Sequence, residues 1–289
     1  MKEKGRKGRI IRILAGILGL LCIAAITAGI IGYVGYIKKE RLIKERGMVN
    51  IVTFGDSIWA ISKDETGIAA ILEKELQQAR VTDCSVMGSR ASYKVLAEDA
   101  PREELDWNRI SLMGILTEPD GMEYLKERAG LTEIPLEDAD YIVIAYGLND
   151  YFAAIPRESE ETYDPYTYAG ALRTAVSWFT EHYPRAKIVL LSQTYCQGYS
   201  YGKVDSESDY KDYGGGTGPD YVAVVEKVAG EMGCIFVNNY KDMGINIHNG
   251  PKYLSDATHL TAYGREKYAK NIAKYLLKDY ELQSAEGVR

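Results

Sequence analysis

Apolar residues in the stretch 47–280 follow two spacings that alternate along the chain. Short apolar runs rich in β-branched residues predict buried strands, and longer stretches with apolar residues every three or four positions predict amphipathic helices. Regular alternation of the two predicts one α/β domain with a parallel sheet. The predicted strands lie at 51–54, 81–86, 141–146, 187–192 and 234–237, and the main helices at 68–76, 167–182, 222–232 and 262–280.

Two long stretches interrupt this alternation. Residues 97–140 are rich in charge and proline, which predicts an insertion with short helices, for example at 122–128, that covers one side of the carboxyl edge of the sheet. Residues 193–220 combine tyrosines, glycines and acids, which predicts a solvated loop. The acidic run 205–209 resembles a calcium loop only loosely, because it lacks the Gly and the distal Glu of such loops.

The amino terminus differs in kind from the rest of the chain. Six Lys or Arg precede an uncharged apolar run from Ile13 to Ile37, which is long enough to cross a bilayer as a helix. We expect a retained anchor, because the run is longer than the apolar core of a signal peptide; a peptide cleaved near 25–28 is the alternative. The flanking charges favour a cytoplasmic amino terminus and an external domain.

The predicted organisation therefore has five parts. A basic cytoplasmic tail (1–12) and a transmembrane helix (13–37) are followed by a linker (38–47), the α/β domain (48–280) and a short carboxyl-terminal tail (281–289).

Net charge argues against one class of partner. The chain has 289 residues and a net charge of −6, but the residues after position 46 hold 24 Lys or Arg against 38 Asp or Glu, a net charge of −14. A domain this acidic repels nucleic acid and anionic lipid headgroups. We therefore expect no nucleic-acid partner.

Polar residues follow several predicted strands directly. Ser57 comes after the first strand in the turn Gly-Asp-Ser, and a serine there is a candidate nucleophile if a base converges on it. Asp256 and His259 are three residues apart, a spacing that can set the carboxylate against one imidazole nitrogen. The backbone N–H groups of Ser57 and Gly88 and the side-chain amide of Asn149 are candidate oxyanion donors.

Each of these features also has a structural alternative. Gly-Asp-Ser is an ordinary turn sequence, and Asp256 or Thr258 could simply cap a helix. The other two histidines have structural interpretations, because His182 falls in the last turn of a predicted helix and His248 lies beside Asn-Gly.

Four blocks together resemble the SGNH/GDSL hydrolase family, whose blocks carry Ser, Gly, Asn and His in this order. They are Gly-Asp-Ser-Ile (55–58), Asp-Cys-Ser-Val-Met-Gly (83–88), Gly-Leu-Asn-Asp (147–150) and Asp-Ala-Thr-His (256–259). The resemblance spans residues 48–280. It implies a flavodoxin-like three-layer α/β/α sandwich with a five-stranded parallel sheet, and ester hydrolysis without a metal or other cofactor.

The second block departs from the family pattern. Asp83 stands where Asn is common, and Met87 and Arg90 are atypical. The strand order implied by the fold, 2-1-3-4-5, puts Cys84 and Cys234 on opposite edges of the sheet, so we expect no intramolecular disulfide. No cysteine spacing resembles a zinc site.

These observations favour a membrane-anchored extracytoplasmic serine esterase that removes short acyl groups, acetyl above all, from glycans. An acyltransferase with the same triad and a lysophospholipase-like lipid esterase are alternatives within the same chemistry. A carbohydrate-binding module without catalysis is the alternative of another class. The expected partners are an ester substrate, small or glycan-bound, and the membrane.

Overall fold

Five short strands form one parallel sheet in the computed structural model, which describes residues 17–18, 20–21, 23–38, 41, 44, 47–200 and 203–285. They are β1 (Val49–Gly55), β2 (Ala79–Asp83), β3 (Tyr141–Ala145), β4 (Lys187–Leu191) and β7 (Ile235–Val237). Their order is β2-β1-β3-β4-β7, and every neighbouring pair is parallel. The predicted fold class and strand order are confirmed.

The apolar character of the central strands follows from their burial. All five residues of β3 are buried, as are all residues of β1 except Asn50. Such strands have helices on both faces, so that continuous apolar runs replace the alternation typical of half-exposed strands. The carboxyl ends of β1 and β3 lie side by side, with Gly55 opposite Ala145.

The helices form the outer layers of the sandwich. They are α1 (Ser57–Ala60), α2 (Ile68–Leu76), α3 (Arg102–Arg109), α4 (Leu112–Thr117), α5 (Gly121–Ala129), α6 (Leu148–Phe152), α7 (Tyr168–His182), α8 (Gly218–Met232), α9 (Asn239–Asp242), α10 (Gly250–Tyr253) and α11 (Ala262–Ala285). Helix α2 packs on α11, and α7 packs on α8. Phe54 of β1 meets Phe179 of α7 with ring centroids 4.8 Å apart, which joins the sheet to one helical layer.

The second strand is shorter than its pattern predicts. We predict a strand to Val86, but β2 ends at Asp83. The chain nevertheless stays beside β1, because the N–H of Cys84 donates to the carbonyl of Thr53 at 2.9 Å and that of Val86 to the carbonyl of Gly55 at 3.1 Å. The apolar run therefore marks the buried path of the chain and not the limits of the strand.

The insertion at 97–140 contains three short helices, α3 to α5, as its pattern predicts. The prediction for 193–220 is wrong in part, because this segment holds an antiparallel hairpin of β5 (Gln197–Ser200) and β6 (Lys203–Glu207). Specific hydrogen bonds fix the hairpin to its surroundings. The N–H of Gln197 donates to the carbonyl of Ala257 at 2.7 Å, and Tyr195 donates to the Glu207 carboxylate at 2.6 Å.

Within the described residues, no group of three or more His, Cys, Asp or Glu side chains is placed to hold a metal ion. Cys84 and Cys196 are buried and Cys234 is half-buried, and all three carry free thiols.

The chain divides into two units, Met1–Gly47 and Met48–Arg289. In the first unit, residues 23–38 are helical and their side chains are exposed. None of the helices in the described part of the chain has the length and apolar character needed to span a bilayer. The predicted transmembrane run 13–37 falls partly outside the described residues, at 13–16, 19 and 22, and the predicted tail 1–12 lies outside them altogether.

Candidate active site

Ser57 lies at the carboxyl end of β1, where the strand turns sharply into α1. Gly55 allows this turn to sit between the neighbouring strands: a Cβ there would lie 2.9 Å from the Ser85 hydroxyl and 3.2 Å from the carbonyl of Ala145. Asp56 caps α1 by accepting the N–H of Ile58 at 2.9 Å, so Ser57 becomes the first residue of the helix. Its side chain is buried to 7% exposure and faces the loop that carries His259.

A continuous chain of hydrogen bonds links Ser57, His259 and Asp256. Nε2 of His259 lies 2.9 Å from Oγ of Ser57, and Nδ1 lies 2.8 Å from Oδ2 of Asp256. The other carboxylate oxygen of Asp256 accepts the N–H groups of Thr258 and His259, each at 2.7 Å. One oxygen of Asp256 therefore orients the His259 ring, and the other holds the turn that carries it. The alternative prediction that Asp256 caps a helix is wrong, because α11 begins at Ala262 and Thr261 accepts the N–H of Gly264 at 3.2 Å.

The hydrogen bonds to Asp256 also set its charge. Partial burial opposes ionisation, but the bonds from the His259 side chain and from two backbone N–H groups together lower the pKa of Asp256 below its ordinary value. An ionised carboxylate at Nδ1 favours the tautomer with its proton on that nitrogen. Nε2 is then free to accept the proton of the Ser57 hydroxyl.

Asn149 and Gly88 line one pocket beside this chain of groups. The pocket has a volume of about 320 Å³, and its walls are formed by Gly88, Arg90, Lys94, Trp107, Asn149, Phe152 and Ala153. Nδ2 of Asn149 donates to the carbonyl of Ser89 at 2.9 Å and lies 3.5 Å from Oδ2 of Asp56. The structure thus brings together the Gly88 loop, the amide of Asn149 and the turn that holds Ser57.

Comparison with known proteins identifies the family of the chain. The model of the GDSL-like Lipase/Acylhydrolase family matches residues 53–267, which is most of the chain and includes every residue of the site described above. The protein is a GDSL-like acylhydrolase. No curated protein sequence matches this chain.

Several solved structures share the fold of this GDSL-like acylhydrolase. A protein from Lactobacillus plantarum is 20% identical, with a TM-score of 0.56 over 80% of this chain and 97% of its own. A possible lipase from Chitinophaga pinensis is 17% identical, with a TM-score of 0.54 over 82% and 99%. The acetyl xylan esterase AlAXEase is 15% identical, with a TM-score of 0.52 over 78% and 98%. At these identities the likeness shows the fold.

Two buried carboxyl groups of the acylhydrolase site have roles that the sequence does not reveal. Asp150 is fully buried and accepts the N–H groups of Ala91 and Ser92 at 2.9 and 3.1 Å, together with the Ser92 hydroxyl. Burial raises the pKa of Asp150 and raises that of Asp56 from 3.8 to about 7. Both residues are adjacent in sequence to a predicted site residue. An acidic residue in a polar turn is usually exposed, so the sequence gives no reason to expect that these two are buried.

The remaining histidines of the acylhydrolase lie away from the site. His182 is the last residue of α7, and its ring stacks on Trp178 at 4.2 Å while Nδ1 lies 2.8 Å from the Trp178 carbonyl. His248 is exposed, and its N–H donates to Oδ1 of Asn246 at 2.9 Å. Both positions agree with the structural roles predicted for these residues.

Proposed function

We propose that the protein is a serine esterase that removes short acyl groups, acetyl above all, from sugar-like alcohols. The observation that carries this proposal is the hydrogen-bonded chain from Ser57 through His259 to Asp256, with distances of 2.9 and 2.8 Å. A nucleophile within reach of a base, itself held by a third group, is the arrangement that covalent acyl transfer requires.

The reaction follows from this geometry. Oγ of Ser57 attacks the ester carbonyl carbon while Nε2 of His259 takes the hydroxyl proton, which gives a tetrahedral intermediate with a negatively charged oxygen. The backbone N–H groups of Ser57 and Gly88 and the second Nδ2 hydrogen of Asn149 stabilise that oxygen. Imidazolium then protonates the departing alcohol, and an acyl-serine remains.

The second half of the reaction regenerates the enzyme. His259 takes a proton from water, the resulting hydroxide attacks the acyl-serine, and the carboxylic acid leaves as Ser57 regains its proton. If a sugar hydroxyl replaced water in this step, the product would be a new ester and the protein an acyltransferase.

The pocket lined by Gly88 and Asn149 supports the proposal of a short acyl ester of a polar alcohol. Its volume of about 320 Å³ is at the small end for ligand sites, and two of its walls carry cationic side chains, Arg90 and Lys94. A lipase needs a broad apolar surface for its acyl chain, and such a surface is unusual and recognisable on a soluble domain. The acetyl xylan esterase of the same fold is an example of deacetylation of a glycan on this architecture.

A chain-length series tests the acyl preference. Full-length protein in mild detergent is assayed with acetyl, butanoyl, octanoyl and dodecanoyl esters of one chromogenic alcohol, and we expect kcat/KM to fall steeply with length. Ser57→Ala should abolish turnover, whereas Ser177→Ala, on α7 away from the site, should not. Rates that rise through eight carbons would support a lipid esterase, and activity that survives Ser57→Ala would refute the mechanism.

Added acceptor distinguishes hydrolysis from transfer. Acyl-donor turnover is measured with and without xylo-oligosaccharide, and we expect free acid as the only product. Turnover that rises with acceptor and yields acylated sugar would show an acyltransferase. Binding of sugar without any turnover of esters would support the carbohydrate-binding alternative.

We propose further that residues 13–37 anchor the enzyme to the cell membrane with its catalytic unit outside. Support comes from the helical residues 23–38, whose apolar side chains, such as Ile26, Ile30 and Val34, are about 60% exposed, a surface that suits a lipid environment. Full-length protein should remain in the membrane fraction after alkaline washing, and external protease should release an active fragment. Protection from the protease would show the opposite orientation.

A further inference from the structure

Two cationic side chains line the pocket beside the oxyanion donors. Arg90 and Lys94 contribute to its walls together with Gly88, Trp107 and Asn149, and no acidic residue does. This concentration of positive charge contrasts with the net charge of −14 that follows position 46. Arg90 also departs from the family pattern, so neither the triad nor the oxyanion donors account for it.

Arg90 is held in place by a hydrogen bond, and no side chain in the described part of the chain forms a close ion pair with it. Its side chain is 4% exposed, and Nη2 donates to Oδ1 of Asn108 at 2.8 Å. Nε has no hydrogen-bond partner among the described residues, which leaves donors of the five-donor guanidinium available. The nearby carboxyl of Asp150 contributes favourable charge, but its oxygens accept hydrogen bonds from Ala91 and Ser92.

Lys94 is fixed through its backbone, and its ammonium group retains freedom. Asn108 accepts the N–H of Lys94 and donates to its carbonyl, both at 2.8 Å. The ammonium lies 3.7 Å from the carboxylate of Glu104, and both side chains are about one-third exposed or more. Ion pairs of this kind are weak, so the ammonium can exchange Glu104 for an anionic ligand. One residue, Asn108, thereby positions both cations.

We propose that Arg90 and Lys94 form a subsite for an anionic group of the substrate, distinct from the oxyanion donors. This subsite selects esters whose alcohol part carries a carboxylate or a phosphate near the scissile bond. Arginine donors match the geometry of either anion, and lysine adds a mobile charge. The inference rests on the proposed function in one respect: an acetyl group has no charge, so the anion belongs to the alcohol. Trp107 and Phe152, 39% and 36% exposed, offer apolar surface at the same pocket for a sugar ring.

Matched acetyl esters test the subsite. Full-length protein is assayed with acetylated methyl glucoside, acetylated methyl glucuronide and acetylated methyl glucoside 6-phosphate, which separate a neutral sugar from the two anion sources. We expect kcat/KM for one of the anionic esters to exceed that for the neutral ester by about tenfold or more, the effect of one charged hydrogen bond. Because part of the attraction is screened, the preference should shrink as salt is raised.

Three variants locate the source of the preference. Arg90→Gln should reduce the anionic-to-neutral ratio by about tenfold, and Lys94→Gln, whose side chain is more exposed, by about threefold. Lys274→Gln removes the same charge from α11 outside the pocket and should leave the ratio as it is. Lys94→Gln also protects the test against misfolding, since Arg90 is buried and Lys94 is not.

Binding without turnover separates this inference from the proposed function. In Ser57→Ala protein, calorimetry should show tighter binding of methyl glucuronide or glucoside 6-phosphate than of methyl glucoside. Equal binding and equal kcat/KM for neutral and anionic esters would overturn the subsite and leave the esterase standing. Selective anion binding by a protein that hydrolyses no acetyl ester would support the subsite and overturn the proposed esterase function. Faster turnover of a succinyl ester of a neutral alcohol would refute the placement of the anion on the alcohol part.

Discussion

The Asp56 carboxyl lies next to Ser57, the candidate nucleophile, and replacement of Asp56 by Asn tests the electrostatics of the site. Asp56 is 2% exposed, and burial raises its pKa from 3.8 to about 7, against the N–H of Ile58, which favours the charged form. Asn has the shape of the protonated acid and can still accept that N–H. The substitution therefore removes the charge and preserves the cap of α1.

The size of the effect follows from the pKa difference. Between about pH 4 and pH 7 the folded protein keeps a proton on Asp56 that the unfolded chain has lost, so the free energy of unfolding falls as pH rises. A pKa difference of about 3, at about 1.4 kcal/mol per pH unit, comes to about 4 kcal/mol of lost stability above pH 7. Asp56→Asn should recover up to that amount at pH 8 and almost none at pH 4.

Urea unfolding at a series of pH values measures the difference. Trp59 is a convenient fluorescent probe, since it is 1% exposed and lies three residues from Asp56. The control is Asp99→Asn, which changes the same charge at an exposed position of the 97–140 insertion. If Asp56→Asn shifts the free energy of unfolding by the same amount at pH 4 and pH 8, the carboxyl is not titrating near pH 7 and the reasoning is wrong.

Three further predictions concern catalysis. Ser57→Ala and His259→Ala should each remove nearly all activity and the double variant scarcely more, because the two act as a unit; additive losses in kcat would contradict this. Asn149→Ala should lower kcat by about 10²–10³ with little change in KM, and a variant with raised KM and normal kcat would mean that Asn149 positions substrate instead. Gly88→Ala should lose stability by about 1–2 kcal/mol, because φ is +75°, and should also lose activity. The control is Gly130→Ala, at φ +73° on the end of α5, which should lose the same stability in thermal unfolding but keep full activity. If the Gly88 and Gly130 variants lost activity equally, Gly88 would not belong to the oxyanion site.

The sheet could be predicted from the sequence because burial on both faces leaves an unmistakable pattern. The apolar runs at 141–146 and 187–192 correspond to β3 and β4 to within one residue. Burial is also what misleads at β2, where residues to Val86 remain in the interior after the strand has ended. The hairpin of β5 and β6 leaves a weaker pattern in the sequence, because a contact with a residue distant along the chain, from the N–H of Gln197 to the carbonyl of Ala257, helps to hold it in place.

The candidate triad could be predicted for a different reason, which is that chemistry restricts the residue types. A serine nucleophile needs a histidine base, only three histidines exist, and only His259 has an acid one helical turn before it. Spacing alone favours the contact between Asp256 and His259. The contact of His259 with Ser57 joins positions 202 residues apart, and the order of the strands brings them together.

The loop after β2 shows why its sequence can depart from the family pattern without loss of the site. Asn149 donates to the carbonyl of Ser89, and the neighbouring Asp150 accepts the N–H groups of Ala91 and Ser92. These bonds hold the loop mainly through backbone atoms, and none of them uses the side chain at position 90. An unusual residue at position 90 is therefore compatible with an intact site, which is why we attribute Arg90 to substrate specificity in the proposal above.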